Sequence, residues 1–213
     1  MKVTTAETLI PALTEQIDRR RSLLQAAFDV IAVSGFEGLR TRAVAQRAGV
    51  NIATLHYYFP TKQALIEGLA QFISGIFATL HAPAPATTGR PALDHLRQEF
   101  IDARFYHEQY PELGVVLQEL ALRANRDPAV RLALDSLLVS WRSWVESFVR
   151  EGVADGTFRQ DLEVGATIPM LMAVFAGDSS VGIAELDNIQ RGVEDWMLAP
   201  EIKAGLSELS GGK

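Results

Sequence analysis

The chain contains no cysteine. Disulfides, cysteine-ligated zinc modules and thiol catalysis are therefore excluded. It has no apolar run of about eighteen residues, so no membrane span is expected. No segment alternates apolar and polar residues for long enough to predict a strand. A glycine-rich phosphate loop and a nucleophile motif are both missing. The opening stretch, MKVTTAETLIPALTEQ, lacks the basic segment and apolar core of a secretory signal. The expectation is a cytoplasmic protein that needs no cofactor and no membrane. Excess positive charge is also lacking, since the formal net charge is −6.

Against these absences stands an apolar content of 48% over 213 residues, enough for a real core in one domain or two small ones. The charge is unevenly spread. Between Glu15 and Lys62, Arg19, Arg20, Arg21, Arg40, Arg42, Arg47 and Lys62 oppose Glu15, Asp18, Asp29 and Glu37, which makes that segment +3 and the remainder −9. Contact with phosphates needs a local basic patch, not a basic whole. An acidic remainder repels nucleic acid and helps to orient the basic face toward it.

Within that segment, residues 41–62 read TRAVAQRAGVNIATLHYYFPTK. Thr41 can cap a short helix filled by Arg42 to Ala48, and Gly49 stops it with a left-handed backbone. Asn51 has the chemistry to cap a second helix over 52–59. Pro60 ends that helix, and Thr61 can cap the next. Ala45, Gly49 and Leu55 supply what a helix-turn-helix requires: a small residue at the crossing, a glycine in the turn and an apolar residue where the second helix docks. Val44, Ala48, Val50 and Tyr58 add packing. The second helix of such a motif lies in the major groove of DNA. Leu55 and Phe59 point inward, leaving Ile52, Ala53, Thr54, His56, Tyr57 and Tyr58 as groove candidates. Thr54 and Tyr57 share one face. Thr54 can hydrogen-bond or touch a thymine methyl, and Ile52 and Ala53 offer apolar contact. Tyr58 can instead pack on the first helix. At the N-terminus of that first helix, Thr41 and Arg42 lie where free N–H groups and the helix dipole attract phosphate. Arg19, Arg20 and Arg21 project at successive angles, so at most two of them face DNA together. They read equally well as a solvated face.

The stretch GFEGLRTRAVAQRAGVNIATLHYYFPTKQAL resembles the N-terminal domain of the TetR/AcrR family of bacterial transcriptional regulators. The match runs from about Arg20 to Leu69, a quarter of the chain. The resemblance implies an all-α fold in which a three-helix helix-turn-helix domain is joined by a linking helix to a larger C-terminal helical domain for ligand binding and dimerisation. It implies phosphate or base-edge contact by Thr41 and Arg42, and a phosphate grip by Lys62. His56 departs from the family's usual tyrosine. A protonated His56 would bind phosphate more strongly, so operator affinity would fall between about pH 6 and 8. A neutral imidazole would leave it flat.

The organisation expected is a mobile arm over 1–13, a DNA-binding domain with its linking helix over 14–81, a Pro/Ala/Thr linker over 82–91 and a helical body over 92–213. On the first long helix, expected over 14–34, Ile17, Leu24, Phe28 and Ile31 recur near helical period and should face the domain core. Body helices are expected over 92–108, 111–125, 128–154, 163–177 and 185–198. Stripes of this kind are usually core. The family's C-terminal domains enclose small molecules, which makes Phe100, Trp141, Met172, Phe175 and His107 candidate walls and Arg104 a candidate partner for a ligand carboxylate. Ile168, Leu171, Ile189, Val193, Trp196 and Met197 are candidate dimer contacts, or else they close the monomer's own core. The function expected is a homodimer that binds a pseudo-palindromic double-stranded DNA operator and is released by a small apolar or amphipathic effector. The alternatives are an activator of the same fold and a helical enzyme with a metal on His95, Glu99 and Asp102.

Overall fold

The computed structural model describes residues 6–84, 87–176 and 183–210. Its elements in chain order are α1 (Ala6–Ser34), a 3₁₀ turn (Phe36–Gly38), α2 (Thr41–Arg47), α3 (Ile52–Tyr58), α4 (Lys62–Thr79), α5 (Pro91–Gln109), α6 (Pro111–Ala124), α7 (Pro128–Ala154), α8 (Val164–Ala176), α9 (Ile183–Met197) and α10 (Pro200–Ser210). Among the described residues there is no strand, only an isolated antiparallel bridge between Phe158 and Leu198. None of the described helices is long and apolar enough to cross a membrane.

The all-α expectation holds, with local differences. The helix expected to start at Thr14 starts at Ala6. Residues 6–13 include Ala6, Glu7, Leu9, Ala12 and Leu13, good helix formers, and an acidic residue suits a helix N-terminus. The rest of the expected arm, residues 1–5, lies outside the described residues. Pro91, read as linker, instead opens α5 as a first-turn proline. α10 was not expected from the sequence at all.

The described residues fall into two compact units. The first is drawn from Met1–Thr79 and Glu112–Leu137, the second from Leu80–Pro111 and Leu138–Lys213. In the first, Leu23, Leu24, Phe28 and Ile31 of α1 are buried with Phe36, Leu39, Val44, Ala45, Leu55, Phe59, Leu65, Leu69 and Ile73. Ile17 is not part of this core. It is 66% exposed, on the portion of α1 that precedes the buried stripe.

In the second unit, Leu93, Leu96 and Phe100 of α5 pack with Val145, Phe148 and Val149 of α7, with Ile168 and Leu171 of α8, and with Phe158 and Met197. Two arginines of α5 reach α9. Arg97 donates from Nε and Nη2 to the two carboxylate oxygens of Glu194 at 3.0 and 2.7 Å, and Arg104 donates to Asp187 at 3.0 and 2.7 Å. The first is a bidentate fork, and the hydrogen bond to Glu194 pushes the Arg97 pKa up. Phe158 is fully buried in this unit, and Arg159 N–H and Ala199 N–H bond to the carbonyls of Met197 and Thr157 at 2.9 and 3.1 Å.

Candidate nucleic-acid interface

α2 stops as its sequence demands. Gly49 adopts φ +68, and its N–H donates to the carbonyl of Gln46 at 3.2 Å. Val50 N–H donates to the carbonyl of Ala45 at 2.9 Å. These two bonds are the Schellman pattern, and they satisfy carbonyls that the helix end would otherwise orphan. Asn51 then starts α3. Its Oδ1 accepts the backbone N–H of Thr54 at 2.8 Å, an N-cap of the expected kind. Thr61 Oγ1 likewise accepts Ala64 N–H at 3.0 Å and caps α4.

Thr41 does not cap α2. It is the first helical residue, and the cap position falls to Arg40, which has an extended backbone and makes no side-chain cap bond. The leading N–H groups of α2 thus have no local side-chain acceptor from the cap residue, the condition under which a phosphate oxygen is welcome. Arg40 and Arg42 are exposed beside them, and neither forms an ion pair among the described residues. Arg47, on the last turn, is spent: its Nη2 bonds to Asp29 at 2.9 Å.

Leu55 of α3 and Phe59, the second residue after Tyr57, are buried, as expected. Ile52, Ala53, His56 and Tyr57 are exposed, and Thr54 and Tyr58 are half-buried. Tyr57 is 70% exposed and stands edge-on to Tyr58, with centroids 5.1 Å apart. Gln16 Nε2 reaches the Tyr57 hydroxyl at 3.5 Å, which brings α1 alongside the exposed face of α3. Arg20 sits over the Phe59 ring at 5.0 Å and Lys62 over the Phe36 ring at 4.8 Å. Both cations are therefore placed by aromatic contacts while their side chains stay exposed.

The residues expected to line a ligand site are partly brought together in the second unit. Phe175 of α8 meets Phe100 edge-on at 5.1 Å and Trp141 at 6.2 Å, and Met172 packs on the same core. His107 is half-buried near the end of α5. Arg104 is not available to a ligand carboxylate, because Asp187 and Gln190 of α9 hold it. The charged group that the sequence reading left out of the ligand site is Glu99. Its carboxylate takes the indole N–H of Trp141 at 2.8 Å and of Trp144 at 2.9 Å. Burial pushes the Glu99 carboxyl above the usual range, and nearby Asp102 adds to the shift, while the two indoles and His81 oppose it. Two tryptophans three apart on α7, facing a glutamate on α5, were the signal available in the sequence.

The metal alternative does not assemble. Asp102 accepts Ala82 N–H at 2.8 Å and pairs with His81 at 2.9 Å. His95 lies edge-on to Trp144 at 4.6 Å, and Glu99 holds the indoles. Among the described residues no group of three such side chains is placed to hold an ion.

The dimer expectation needs correction in three of its residues. Ile168, Leu171 and Met197 are at most 3% exposed and belong to the core of this unit. Ile189, Val193 and Trp196 are half-buried against it. An apolar period on α8 and α9 reports that a face is covered, and here the chain's own α5 and α7 do the covering. What α8 leaves exposed is also apolar: Gly165, Ala166, Pro169, Met170, Ala173 and Ala176.

Residues 23–69 match the sequence profile of bacterial regulatory proteins of the tetR family. Over 152 residues the chain is 28% identical to the transcriptional repressor KstR2 of Mycolicibacterium smegmatis, covering 71% of this chain and 73% of that one. Over 65 residues it is 40% identical to the transcriptional regulator RutR of Escherichia coli, covering 30% and 31%. Among solved structures, a TetR transcription regulator from Haloarcula marismortui superposes with a TM-score of 0.70 at 18% identity, over 85% of this chain and 98% of that one. A transcriptional regulator from Saccharomonospora viridis, solved in complex with choline, gives 0.67 at 20% identity over 85% and 98%.

Proposed function

The chain belongs to the tetR family of bacterial regulatory proteins, and we propose that it grips a pseudo-palindromic operator as a homodimer and represses transcription until a small amphipathic molecule binds its second unit. It is a DNA-binding transcriptional regulator and not an enzyme, as its relatives are. The observation that carries the operator reading is the joint between α2 and α3. A Schellman turn and an Asn51 cap hold a short helix whose outer side chains, Ile52, Ala53, Thr54, His56 and Tyr57, are uncovered or nearly so. Thr41, Arg42 and Lys62 supply the flanking phosphate contacts. These fix the register on the duplex, while α3 reads base edges.

One such helix touches too few base pairs for useful specificity, so a two-fold pair of chains is required. The surface proposed for pairing is the exposed side of α8: Ala166, Pro169, Met170 and Ala173. A helix that is apolar all round is stable only when all round it is covered. Small side chains there let a second copy of the helix approach closely.

The effector reading rests on Phe100, Trp141, Met172 and Phe175 as apolar wall. Its polar end should meet Glu99 and not Arg104, because Arg104 is engaged and Glu99 has no cationic side chain bonded to it among the described residues. This favours a ligand with a hydrogen-bond donor or a positive charge beside an apolar body. Release needs only differential affinity: an effector favouring the non-binding state by about 3 kcal/mol lowers operator affinity roughly a hundredfold. Selection of duplexes from a random pool by the full chain, followed by a mobility shift, tests the operator reading. Recovery of no preferred sequence would overturn it, and recovery of a two-fold-symmetric one is expected. A cytoplasmic location follows from an operator as target.

A further inference from the structure

The 3₁₀ turn Phe36–Gly38 has no local cap, because Gly35 at its start offers no side chain. The acceptor comes from 83 residues further along: Phe36 N–H donates to Glu119 Oε2 of α6 at 2.8 Å. Gly35 has φ +67, and a Cβ built on it would lie 3.2 Å from Glu119 Oε2 and 3.4 Å from Cδ. The carboxyl group thus rests directly on the glycine backbone. One helical turn on, Arg123 Nη1 bonds to Glu37 at 3.1 Å and its guanidinium stands 5.2 Å from the Phe36 ring centre. Lys62 stands 4.8 Å from the same ring. Beyond the turn, Leu39 N–H bonds to Phe36 O, Arg40 N–H to Gly38 O and Val44 N–H to Arg40 O, at 3.1, 2.7 and 3.0 Å. The hydrogen bonds run without a break from Glu119 into the first turn of α2.

Taking Thr41, Arg42 and Lys62 as phosphate contacts, we propose that Glu119, aided by Arg123, is a positioning residue of the DNA interface. By holding the 35–38 turn, these two α6 side chains set where α2 begins and where Lys62 stands, so the position of α6 is read directly by two phosphate-binding elements. α4 is not needed as an intermediary for α2. The sign of the effect separates this from simple electrostatics. Removing a carboxylate near DNA should strengthen binding through charge alone. Removing the anchor of the turn should weaken it.

The test compares the full chain with Glu119→Ala and Glu119→Gln on the duplex that the wild type selects from a random pool, over a range of salt, with thermal melting in parallel. Glu119→Ala is expected to lower affinity about tenfold, the scale of one charge-assisted hydrogen bond, and to reduce the salt slope by about one. Glu119→Gln keeps an oxygen for Phe36 N–H and is expected to restore both to near the wild-type values. Arg123→Gln, which leaves that hydrogen bond intact, serves as the milder variant if Glu119→Ala melts too low, with an expected loss of two- to threefold (about 0.5 kcal/mol). Wild-type affinity in both Glu119→Ala and Arg123→Gln, or a Gln variant no better than the Ala one, overturns the inference. Failure of the wild type to select any duplex would instead sink the operator reading itself.

Discussion

One oxygen of Asn51 accepts two hydrogen bonds from Thr54, the backbone N–H at 2.8 Å and the side-chain hydroxyl at 3.0 Å. The first caps α3. The second uses up the only proton Thr54 could donate, so on the proposed operator interface this residue would present acceptor lone pairs and a methyl group. It suits an adenine or cytosine amino group or a thymine methyl, and not the two acceptors of guanine.

Asn51→Ala should therefore do two things at once. Losing the cap costs about 1 kcal/mol of stability, seen as a lower melting temperature. Freeing the Thr54 hydroxyl relaxes preference at one base position, so affinity for the selected duplex falls more than affinity for random DNA. Equal losses on both duplexes would limit Asn51 to a structural cap.

Arg42 and Lys62 are exposed and Arg47 is tied to Asp29 at 2.9 Å. Replacing Arg42 or Lys62 by alanine should reduce the salt slope by about one unit each, on specific and random DNA alike. Arg47→Ala should leave the slope unchanged. A slope that falls with Arg47→Ala would mean that the ion pair opens on DNA.

The parts of this fold that could be read from the sequence were those fixed by neighbours in the chain. Gly49, Asn51 and Thr61 act within three residues of themselves, so their roles follow from residue chemistry. Thr41 misled because two adjacent positions compete for one cap, and the extended backbone of Arg40 decides the matter. Ile17 misled because helical periodicity continues along α1 beyond the stretch that the core covers, and Ile17 itself is 66% exposed. Glu119 was invisible for the opposite reason, since its partner is 83 residues away. α8 is the hardest case. With apolar residues on every side, its sequence could not say that Ile168 and Leu171 face the core while Met170 faces out.

That division of α8 can be tested by placing the same charge on its two sides. Met170 is 53% exposed, so Met170→Asp should leave the fold intact and convert a dimer to a monomer in sedimentation at micromolar concentration. Ile168 is 3% exposed, so Ile168→Asp should lower the melting temperature sharply, by the several kcal/mol that an unpaired buried charge costs, about 3 or more. A Met170→Asp chain that remains dimeric would move the pairing surface off α8.

Glu99 should leave a mark on the pH dependence of stability. In the unfolded chain it ionises near its ordinary 4.5, while burial in the native state holds the proton to higher pH. Between those two values the native chain binds more protons than the unfolded one, so stability falls as pH rises through the window. Glu99→Gln cannot ionise and lacks this component. Measured against that variant from pH 4 to 8, the wild type should be relatively most stable at the acid end and decline to a plateau above the native pKa. Tryptophan emission offers a second readout in the same window, because ionisation strengthens the bonds that Trp141 and Trp144 donate to the carboxylate. Trp196, which lies beside Arg159 instead, supplies a background that should not titrate with it. A wild-type-minus-variant difference that is flat across the range would mean that Glu99 ionises as freely as in the unfolded chain, and would remove the reason for expecting its carboxylate to select the effector.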